Sequence, residues 1–311
     1  MHIDVNAVLE AVRRVKVDNK DVVRAYRNRR VDKIVEYARR VWKYVITYRY
    51  EDYPLNYGVS TKKLVLSSLI AERFALRLKH LWKHLTIAII GLGGAGKTTY
   101  SVLSMYGAYK LLGYSDSSAY RMVATHCFFE PLGFVKTAKE LVVTRRWSPS
   151  ILVDDVGSQI SKYWIFMGQM FWAYLFSVMD QLKDWTGVLI LTARRFNSIP
   201  SRLREITDIV VEAKEIDYQG IILDIFFYYL YDDYVRGRRD RILFIDVMPP
   251  TAKIPDELWN KMLEIRRSTG IRRLGLVEDV LSNLPQLEKS YFDKIKKKYE
   301  KLGNGGENAK R

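Results

Sequence analysis

The sequence predicts an α/β protein of three layers, in which a mostly parallel sheet carries a C-terminal antiparallel hairpin and is flanked by helical N- and C-terminal segments. Two observations predict this class. Between residues 85 and 213, short apolar runs alternate with helical stretches, which is typical of a parallel sheet covered by helices on both faces. After residue 213, two longer apolar runs flank the turn-like segment "VRGRRD", as in an antiparallel hairpin.

The first 84 residues are predicted to form a basic helical domain. Apolar residues at three-four spacing predict one helix in "VDKIVEYARRVWKYVI" and another in "TKKLVLSSLIAERFALRLKHLW". Ser60 or Thr61 is the expected N-cap of the second helix. Between Met1 and Leu85, 19 lysine and arginine residues stand against 9 aspartate and glutamate residues, a net charge of +10.

Charge points to a polyanionic partner. The chain has a formal net charge of +16 and a pI near 9.7, and such an excess attracts nucleic acid or an acidic membrane surface. The densest basic cluster comprises Arg24, Arg27, Arg29 and Arg30. A helical module with this cluster can grip phosphates, or it can simply be a solvated basic face. Both interpretations stay open.

The segment from 85 to 250 is predicted to be the core of the protein. Its expected strands are Thr86–Ile90, Met122–Cys127, Ile151–Asp154, Val188–Leu191 and Ile209–Val211, and its expected helices are 97–112, 134–145, 160–184 and 199–206. The hairpin strands follow in "IILDIFFYYLY" and "RILFIDVM". A helical segment over 251–302 and a disordered tail over 303–311 complete the predicted organisation.

Membrane association is not expected. The uncharged run Tyr163–Met179 falls just short of the roughly 18–20 apolar residues of a spanning helix and lies between two core strands, which predicts a buried or subunit-facing helix. The single cysteine, Cys127, excludes a disulfide framework and suits a reducing compartment. No secretory signal is visible at the N-terminus, so a cytoplasmic location is expected.

The segment "IIGLGGAGKTTY" predicts a phosphate-binding loop. Gly91, Gly96, Lys97 and Thr98 match the pattern G-x-x-x-x-G-K-[ST] between a strand and a helix. In such a loop, successive amides form an anion nest, the lysine bridges the β- and γ-phosphates, and the hydroxyl binds Mg²⁺. The predicted nucleotide-binding residues are Gly91, Gly93, Gly94, Ala95, Gly96, Lys97, Thr98 and Thr99.

This segment resembles the Walker A motif of the P-loop NTPases. The segment "SILVDD" resembles the Walker B motif of the division with an additional catalytic strand. The resemblance implies that Asp154 holds Mg²⁺ and that Asp155 activates the attacking water. Many relatives carry a glutamate at the second position, so the shorter aspartate is a departure from the pattern. Two acids that merely cap a strand end are the plainer alternative.

The segment "GVLILTARR" resembles the additional strand, which should lie between the Walker A and Walker B strands. The resemblance implies that Thr192 is the polar sensor that orients the lytic water. It also implies an arginine finger that reaches a neighbouring subunit and stabilises the transferred phosphoryl group. The candidates are Arg194, Arg195, Arg202 and Arg204, with Arg204 preferred, and ordinary surface positions are the alternative for each.

Three other features carry weaker predictions. His126 is expected to be a core histidine on a strand, because no partner with metal-ligand spacing accompanies it. Trp147 is expected to pack beside a strand, with stacking on a base as the alternative. Arg236, Arg238 and Arg239 at the predicted hairpin tip are expected either to contact a nucleic-acid backbone or to form a solvated turn.

The resemblance covers residues 85–213 and leaves several functions open. DNA pumps of the FtsK/HerA type and AAA+ initiators or helicase loaders both fit, with helices over 255–300 as an AAA+ lid and Arg272 or Arg273 as its second sensor. A Zot-like ATPase of viruses and mobile elements, for example archaeal ones, is similar. A ParA-like partitioning switch would need a lysine where Leu92 stands, and a small-molecule kinase would give the charge no role.

The favoured prediction is a Mg²⁺-dependent ATPase that couples ATP hydrolysis to translocation, packaging or loading of nucleic acid. DNA is the expected partner, and the protein is expected to act as a homo-oligomer such as a hexameric ring, because an arginine finger needs a neighbour. No guanine-reading motif is visible, which favours ATP over GTP. The partitioning switch and the small-molecule kinase remain as alternatives.

Overall fold

Seven strands of the described part of the chain form one sheet, with the order β2-β3-β4-β1-β5-β6-β7. The computed structural model of the protein describes residues 3–42, 63–81, 84–129, 131–156, 177–178, 181–249, 252–265 and 267–268. The strands are β1 Leu85–Ile90, β2 Cys127–Phe128, β3 Ser148–Val153, β4 Thr186–Ala193, β5 Ile209–Tyr218, β6 Ile221–Leu230 and β7 Phe244–Met248. The first five pair in parallel, and β6 and β7 are antiparallel. This confirms the predicted fold class.

Helices cover both faces of the sheet. They are α1 Val5–Arg27, α2 Val31–Val41, α3 Val65–Leu78, α4 Lys97–Leu111, α5 Asp116–Thr125, α6 Pro131–Thr144, α7 Ser201–Glu205 and α8 Tyr231–Val235, followed by a helix over 256–265. On one face, Phe134 of α6 and Leu203 of α7 pack with Leu189 in one hydrophobic cluster. On the other, α3 and α4 contact each other and the strands β3 and β4.

The central position of β1 in the sheet explains why its sequence is almost entirely apolar. All six of its residues are buried, because β4 and β5 flank it and helices cover both of its faces. Buried parallel strands therefore show continuous apolar runs instead of alternation. The strand β4 lies between β1 and β3, as the sequence predicted for the additional strand.

The helices α1 and α2 cover the edge of the sheet at β7. The Asn19 side chain donates to Ile245 O and accepts from Ile245 N, at 2.5 and 2.9 Å. The Trp42 indole donates to Val247 O at 2.8 Å. These bonds satisfy backbone groups that an open edge strand would expose. Residues Met1–Met262 form one compact unit, and an independent domain over 1–84 stays a prediction.

The predicted strand at Met122–Cys127 is wrong for most of its length. Residues up to Thr125 belong to α5, whose N-terminus is capped by Ser115, and only Cys127 and Phe128 form β2. The helix buries Ala119 and Val123 on one side. A short apolar run fits a buried helix as well as a strand, and Ser115 caps the helix by accepting a hydrogen bond from Ser118 N.

The C-terminal hairpin is more elaborate than predicted. The strands β6 and β7 pair as expected, but α8 lies in their connection. A tighter hairpin joins β5 to β6 and was missed. Its two turn residues, Gln219 and Gly220, have φ values of 52° and 76°, which suits a two-residue hairpin turn. The strand β5 consequently extends to Tyr218, beyond the predicted end at Val211.

Other predictions fall partly or wholly outside the described residues. These are the N-cap at Ser60 or Thr61, most of the run Tyr163–Met179 and of the helix 160–184, the segments beyond 268, and the sensor candidates Arg272 and Arg273. The helix predicted from Val31 is described to Val41. Of the helices in the described part, none is both long and apolar enough to span a membrane.

Candidate nucleotide-binding site

The predicted phosphate-binding loop connects β1 to α4 at the carboxyl edge of the sheet. The strand ends at Ile90 and the helix begins at Lys97, so the loop amides and the helix N-terminus adjoin. Gly96 is the N-cap and has a φ of 60°, a left-handed conformation that favours glycine. Because the positive end of the helix dipole lies here, the loop is suited to bind an anion.

Two glycines of the loop are also required by packing. A Cβ at Gly91 would lie 2.7 Å from Ala213 O of β5. A Cβ at Gly96 would lie 2.5 Å from both Asp224 Oδ2 and Met248 Cε. The loop is therefore pressed against β5, β6 and β7, and side chains at these two positions would displace it.

Lys97 is half-buried within the loop. Its ammonium group donates to Gly91 O at 2.9 Å and to Leu92 O at 2.7 Å. Burial lowers the pKa of Lys97, the carboxylates of Asp154 and Asp155 oppose that shift, and the positive charge of Arg194 adds to it. These charges act on Lys97 because the ends of β3 and β4 lie beside the loop.

Thr98, Asp154 and Thr192 form a compact polar cluster. Asp154 Oδ1 accepts hydrogen bonds from Thr98 Oγ1 at 2.8 Å and from Thr192 Oγ1 at 2.6 Å. Asp154 and Thr192 are almost fully buried, at 4% and 1% exposure. The structure therefore brings together three residues that the sequence placed in one site from three separate segments.

The next residue, Asp155, is exposed, whereas Asp154 is buried. The φ of Asp155 is 49°, and its amide donates to Thr192 Oγ1 at 2.8 Å. Thr192 thus bonds the carboxylate of Asp154 and the backbone of Asp155, which fixes the relative position of the two acids. An exposed carboxylate beside the loop can accept a proton from water, whereas the buried Asp154 is suited to hold a cation.

The donor set fits Mg²⁺. This cation prefers oxygen ligands and takes one or two from protein carboxylates together with substrate phosphates. Thr98 Oγ1 and Asp154 Oδ1 are such oxygens, and they lie within hydrogen-bond distance of each other at the opening of the loop. Within the described residues, no group of three or more His, Cys, Asp or Glu side chains offers a separate metal site.

The four candidate arginines have different surroundings. Arg194 and Arg195 are exposed directly after β4. Arg202 forms an ion pair with Glu205 at 3.1 Å. The Arg204 guanidinium lies over the Phe196 ring, 6.0 Å from its centroid, and donates to Asn197 Oδ1 at 3.4 Å. Arg204, the preferred finger, is therefore engaged with its own chain.

A cavity of about 1070 Å³, the loop cleft, borders the phosphate-binding loop. Its lining residues are Ile90, 91–95, 194–197, Arg204, 212–215, Tyr231, Tyr234, Val235 and Arg239. A second cavity of about 720 Å³, the arm cleft, lies at the end of α1 and is lined by Tyr26, Arg27, Arg29, Val31, Arg239, Asp240, Arg241 and Ile242. The two clefts share Arg239.

Sequence reasoning missed Asp224, a buried carboxylate behind the loop. It lies on β6 against Gly96 and is 2% exposed, and its Oδ1 accepts no hydrogen bond from any residue that the structure describes. Burial raises its pKa to about 7, Glu215 adds to that shift and Lys97 opposes it. A polar residue in the apolar run "IILDIFF" was the available signal, but the run itself did not reveal that Asp224 reaches the loop.

The weaker candidates are now placed. His126 is buried at the C-cap of α5 and not on a strand, and its Nδ1 lies 2.8 Å from Met122 O. Burial lowers its pKa. Trp147 packs on Phe74 and beneath Arg77, which agrees with the expected packing role. The segment "VRGRRD" begins at the last residue of α8 and is not a simple hairpin tip.

Comparisons with known proteins add little. No family model matches the chain. A stretch of 117 residues is 27% identical to the uncharacterized protein B-251 of Sulfolobus spindle-shape virus 1, which covers 38% of this chain and 46% of that protein. The match thus spans less than half of the viral relative. Flagellar accessory protein FlaH from Methanocaldococcus jannaschii is similar at a TM-score of 0.32 and 11% identity over 47% of this chain and 78% of that chain. A TM-score this low supports no argument.

Proposed function

We propose that this chain is a Mg²⁺-dependent ATPase of the P-loop class. The observation that carries the proposal is the contact of Thr98 and Thr192 with Asp154, next to a glycine loop that ends in Lys97. A hydroxyl and a carboxylate so arranged are the two protein ligands that phosphoryl-transfer sites of this class give to magnesium. The strand order, with β4 between β1 and β3, supports the division with an additional strand.

Each residue has a role in this proposal. The amides of 93–99 and the N-terminus of α4 bind the triphosphate, and Lys97 leaves its two carbonyl partners to bind phosphate oxygens. When bound, the Mg²⁺ ion would neutralise charge on the phosphates, held by Thr98 and Asp154. Asp155 accepts a proton from the attacking water. Thr192 holds Asp154 and Asp155 in a fixed relative position through its hydrogen bonds to both.

Arg194 is proposed to act in its own site. The sequence favoured an arginine from a neighbouring subunit, led by Arg204. Arg204 instead contacts Phe196 and Asn197, while the charge of Arg194 already lowers the pKa of Lys97 in the same chain. Arg194 also lines the cleft that borders the loop. A cation in that cleft can stabilise the charge that develops on the transferred phosphoryl group.

We further propose which process the ATP hydrolysis drives. The net charge of +16 and the basic lining of the clefts support coupling to nucleic acid, with DNA translocation, packaging or loading as the process. A homo-oligomer, a ring among the options, and a cytoplasmic location are proposed with it. The relationship to a viral protein is compatible with a role in a virus or mobile element.

One experiment separates the candidate functions. ATP turnover is measured with and without single- and double-stranded DNA, and particle mass is determined with nucleotide present. Stimulation by DNA together with a multimeric mass supports the motor. A slow dimeric ATPase would favour a partitioning switch, and turnover that ignores DNA but requires an acceptor would favour a kinase. An unmodified chain that hydrolyses no ATP would refute the proposal.

A further inference from the structure

Two basic clefts meet at one arginine. The loop cleft is lined by five cationic side chains and two anionic ones, and the arm cleft by four and one. Arg239 lines both, so the two clefts adjoin at this residue. Together they are here called the basic groove, with the phosphate-binding loop beside one cleft and the end of α1 beside the other. A groove of this charge is suited to an extended polyanion.

Several of these cations have no acidic partner. In the part of the chain that the structure describes, Arg29, Arg194 and Arg195 are exposed and form no ion pair. In contrast, Arg241 pairs with Asp233 at 3.4 Å, and Lys214 pairs with Glu212 at 3.1 Å. Of these unpaired arginines, Arg194 and Arg195 line the loop cleft and Arg29 lines the arm cleft, so each cleft offers a cation that can bind the phosphates of an extended strand.

Aromatic side chains lie between the cations. Phe196, Tyr231 and Tyr234 line the loop cleft, and Tyr26 lines the arm cleft. The Arg239 guanidinium lies 3.6 Å from the centroid of the Tyr234 ring. Aromatic rings and planar guanidinium groups in a positive groove are the features that stack unpaired bases without reading their sequence.

We propose that the basic groove binds a single strand of nucleic acid, with its phosphates on Arg29 and Arg195 and its bases against Tyr234 and Arg239. A duplex keeps its bases stacked inside and would leave these rings without a partner. A small molecule would not need both clefts, since typical ligand pockets have 300–1,000 Å³. A second copy would bring another basic chain against the same positive groove.

This proposal rests on the proposed function only in taking nucleic acid as the partner. It also gives the strand a route to the ATPase site, because Leu92 lies in the loop cleft and is 66% exposed. A strand in the cleft would touch the loop whose amides hold the phosphates. Bound single strands are therefore expected to change the rate of hydrolysis.

The test measures binding of a labelled oligothymidylate of about 20 nucleotides by fluorescence anisotropy, without ATP, across a range of salt. The double variant Arg29→Gln/Arg195→Gln should bind at least about tenfold more weakly at low salt. Its log–log salt slope should fall by about 1.4, because each lost phosphate contact of a single strand removes about 0.7. The matched control is Arg13→Gln/Arg121→Gln, two exposed arginines that line neither cleft.

A second variant tests stacking. Tyr234→Leu should weaken binding about fivefold or more while leaving the salt slope unchanged, since it removes a ring and no charge. Equal affinity and slope in the arginine variants and their control would overturn the proposal, as would equal binding in Tyr234→Leu. A lower particle mass of the groove variants without loss of binding would assign the groove to a subunit contact. A chain that binds the oligonucleotide but never hydrolyses ATP would refute the ATPase and leave the groove intact.

Discussion

Substitution of Asp155 tests the proposed chemistry most directly at the level of a single residue. Its carboxylate is solvent-accessible, and its φ of 49° is a conformation that asparagine also adopts readily. Asp155→Asn should therefore preserve the backbone and nucleotide binding while removing the base. We expect ATP turnover to fall about 10²–10⁴-fold with a nucleotide Kd within a few fold of the unmodified chain. Turnover that survives in Asp155→Asn would show that another group accepts the proton.

We expect Asp224 to make nucleotide binding depend on pH. A triphosphate in the loop adds negative charge near Asp224, so binding should raise the pKa of that carboxyl further and take up a proton. Nucleotide affinity should consequently decrease as the pH rises through about 7. The charged groups that act on Asp224 are Glu215 on β5 and Lys97 on α4.

The variant Asp224→Asn should flatten this profile. It keeps the shape against Gly96 and removes the titrating group, and comparison with the unmodified chain cancels ionisation of the nucleotide itself. Folding supplies a second readout, because an acid whose folded pKa is raised stabilises the fold fully below its unfolded pKa, near 4, and loses that contribution as pH rises through about 7. If nucleotide affinity changed with pH in the same way for Asp224→Asn and the unmodified chain, from about pH 6 to about pH 8.5, the role given to Asp224 would be contradicted.

At the scale of elements, the edge strand β7 depends on the N-terminal helices. Asn19→Ala removes the two bonds to Ile245 and leaves buried backbone groups unpaired. We expect a loss of about 1–3 kcal/mol in the free energy of unfolding, measured with urea. Asn6→Ala is the matched control, since the Asn6 side chain is exposed and accepts a hydrogen bond from Lys79 Nζ at the surface, at 3.2 Å. An equal effect of both changes would show that α1 does not protect this edge.

The elements differ in how far the sequence could reveal them. β1, β4 and α4 were predicted to within two residues, because long buried runs and the glycine loop leave few alternatives. The segment Met122–Cys127 was predicted as a strand but lies mostly in α5, because "MVATHC" fits a helix or a strand by pattern alone. The β5–β6 hairpin was missed because the strands were read separately and the turn at Gln219 and Gly220 carries no proline or asparagine.

In the candidate site, too, some features could be predicted from the sequence and others could not. Gly91–Thr99 and Asp154 follow from local motifs, and their meeting follows from the rule that parallel strands end at one edge. Three features depend on tertiary packing: the contact of Asp224 with Gly96, the position of Arg204 over Phe196, and the place of Arg239 in the lining of both clefts. No spacing in the sequence encodes those contacts.

At the scale of the whole molecule, the placement of Arg194 predicts how subunits would complement one another. Lys97→Ala and Arg194→Ala should each lose turnover. If Arg194 serves its own site, a mixture of the two variants should remain inactive, since no site then contains both residues. Recovery of ATP turnover in the mixture, against the unmixed variants at equal concentration, would show that the arginine acts across a subunit boundary.

The central claim is that Thr98 and Asp154 hold a divalent cation beside a triphosphate in the loop. Mn²⁺ titration followed by electron paramagnetic resonance, with ATP present, tests this most directly. The account predicts one tightly bound Mn²⁺ per chain that depends on the nucleotide, and a binding at least about tenfold weaker in Asp154→Asn. Failure of the unmodified chain to retain Mn²⁺ with ATP, or unaltered retention in Asp154→Asn, would contradict it.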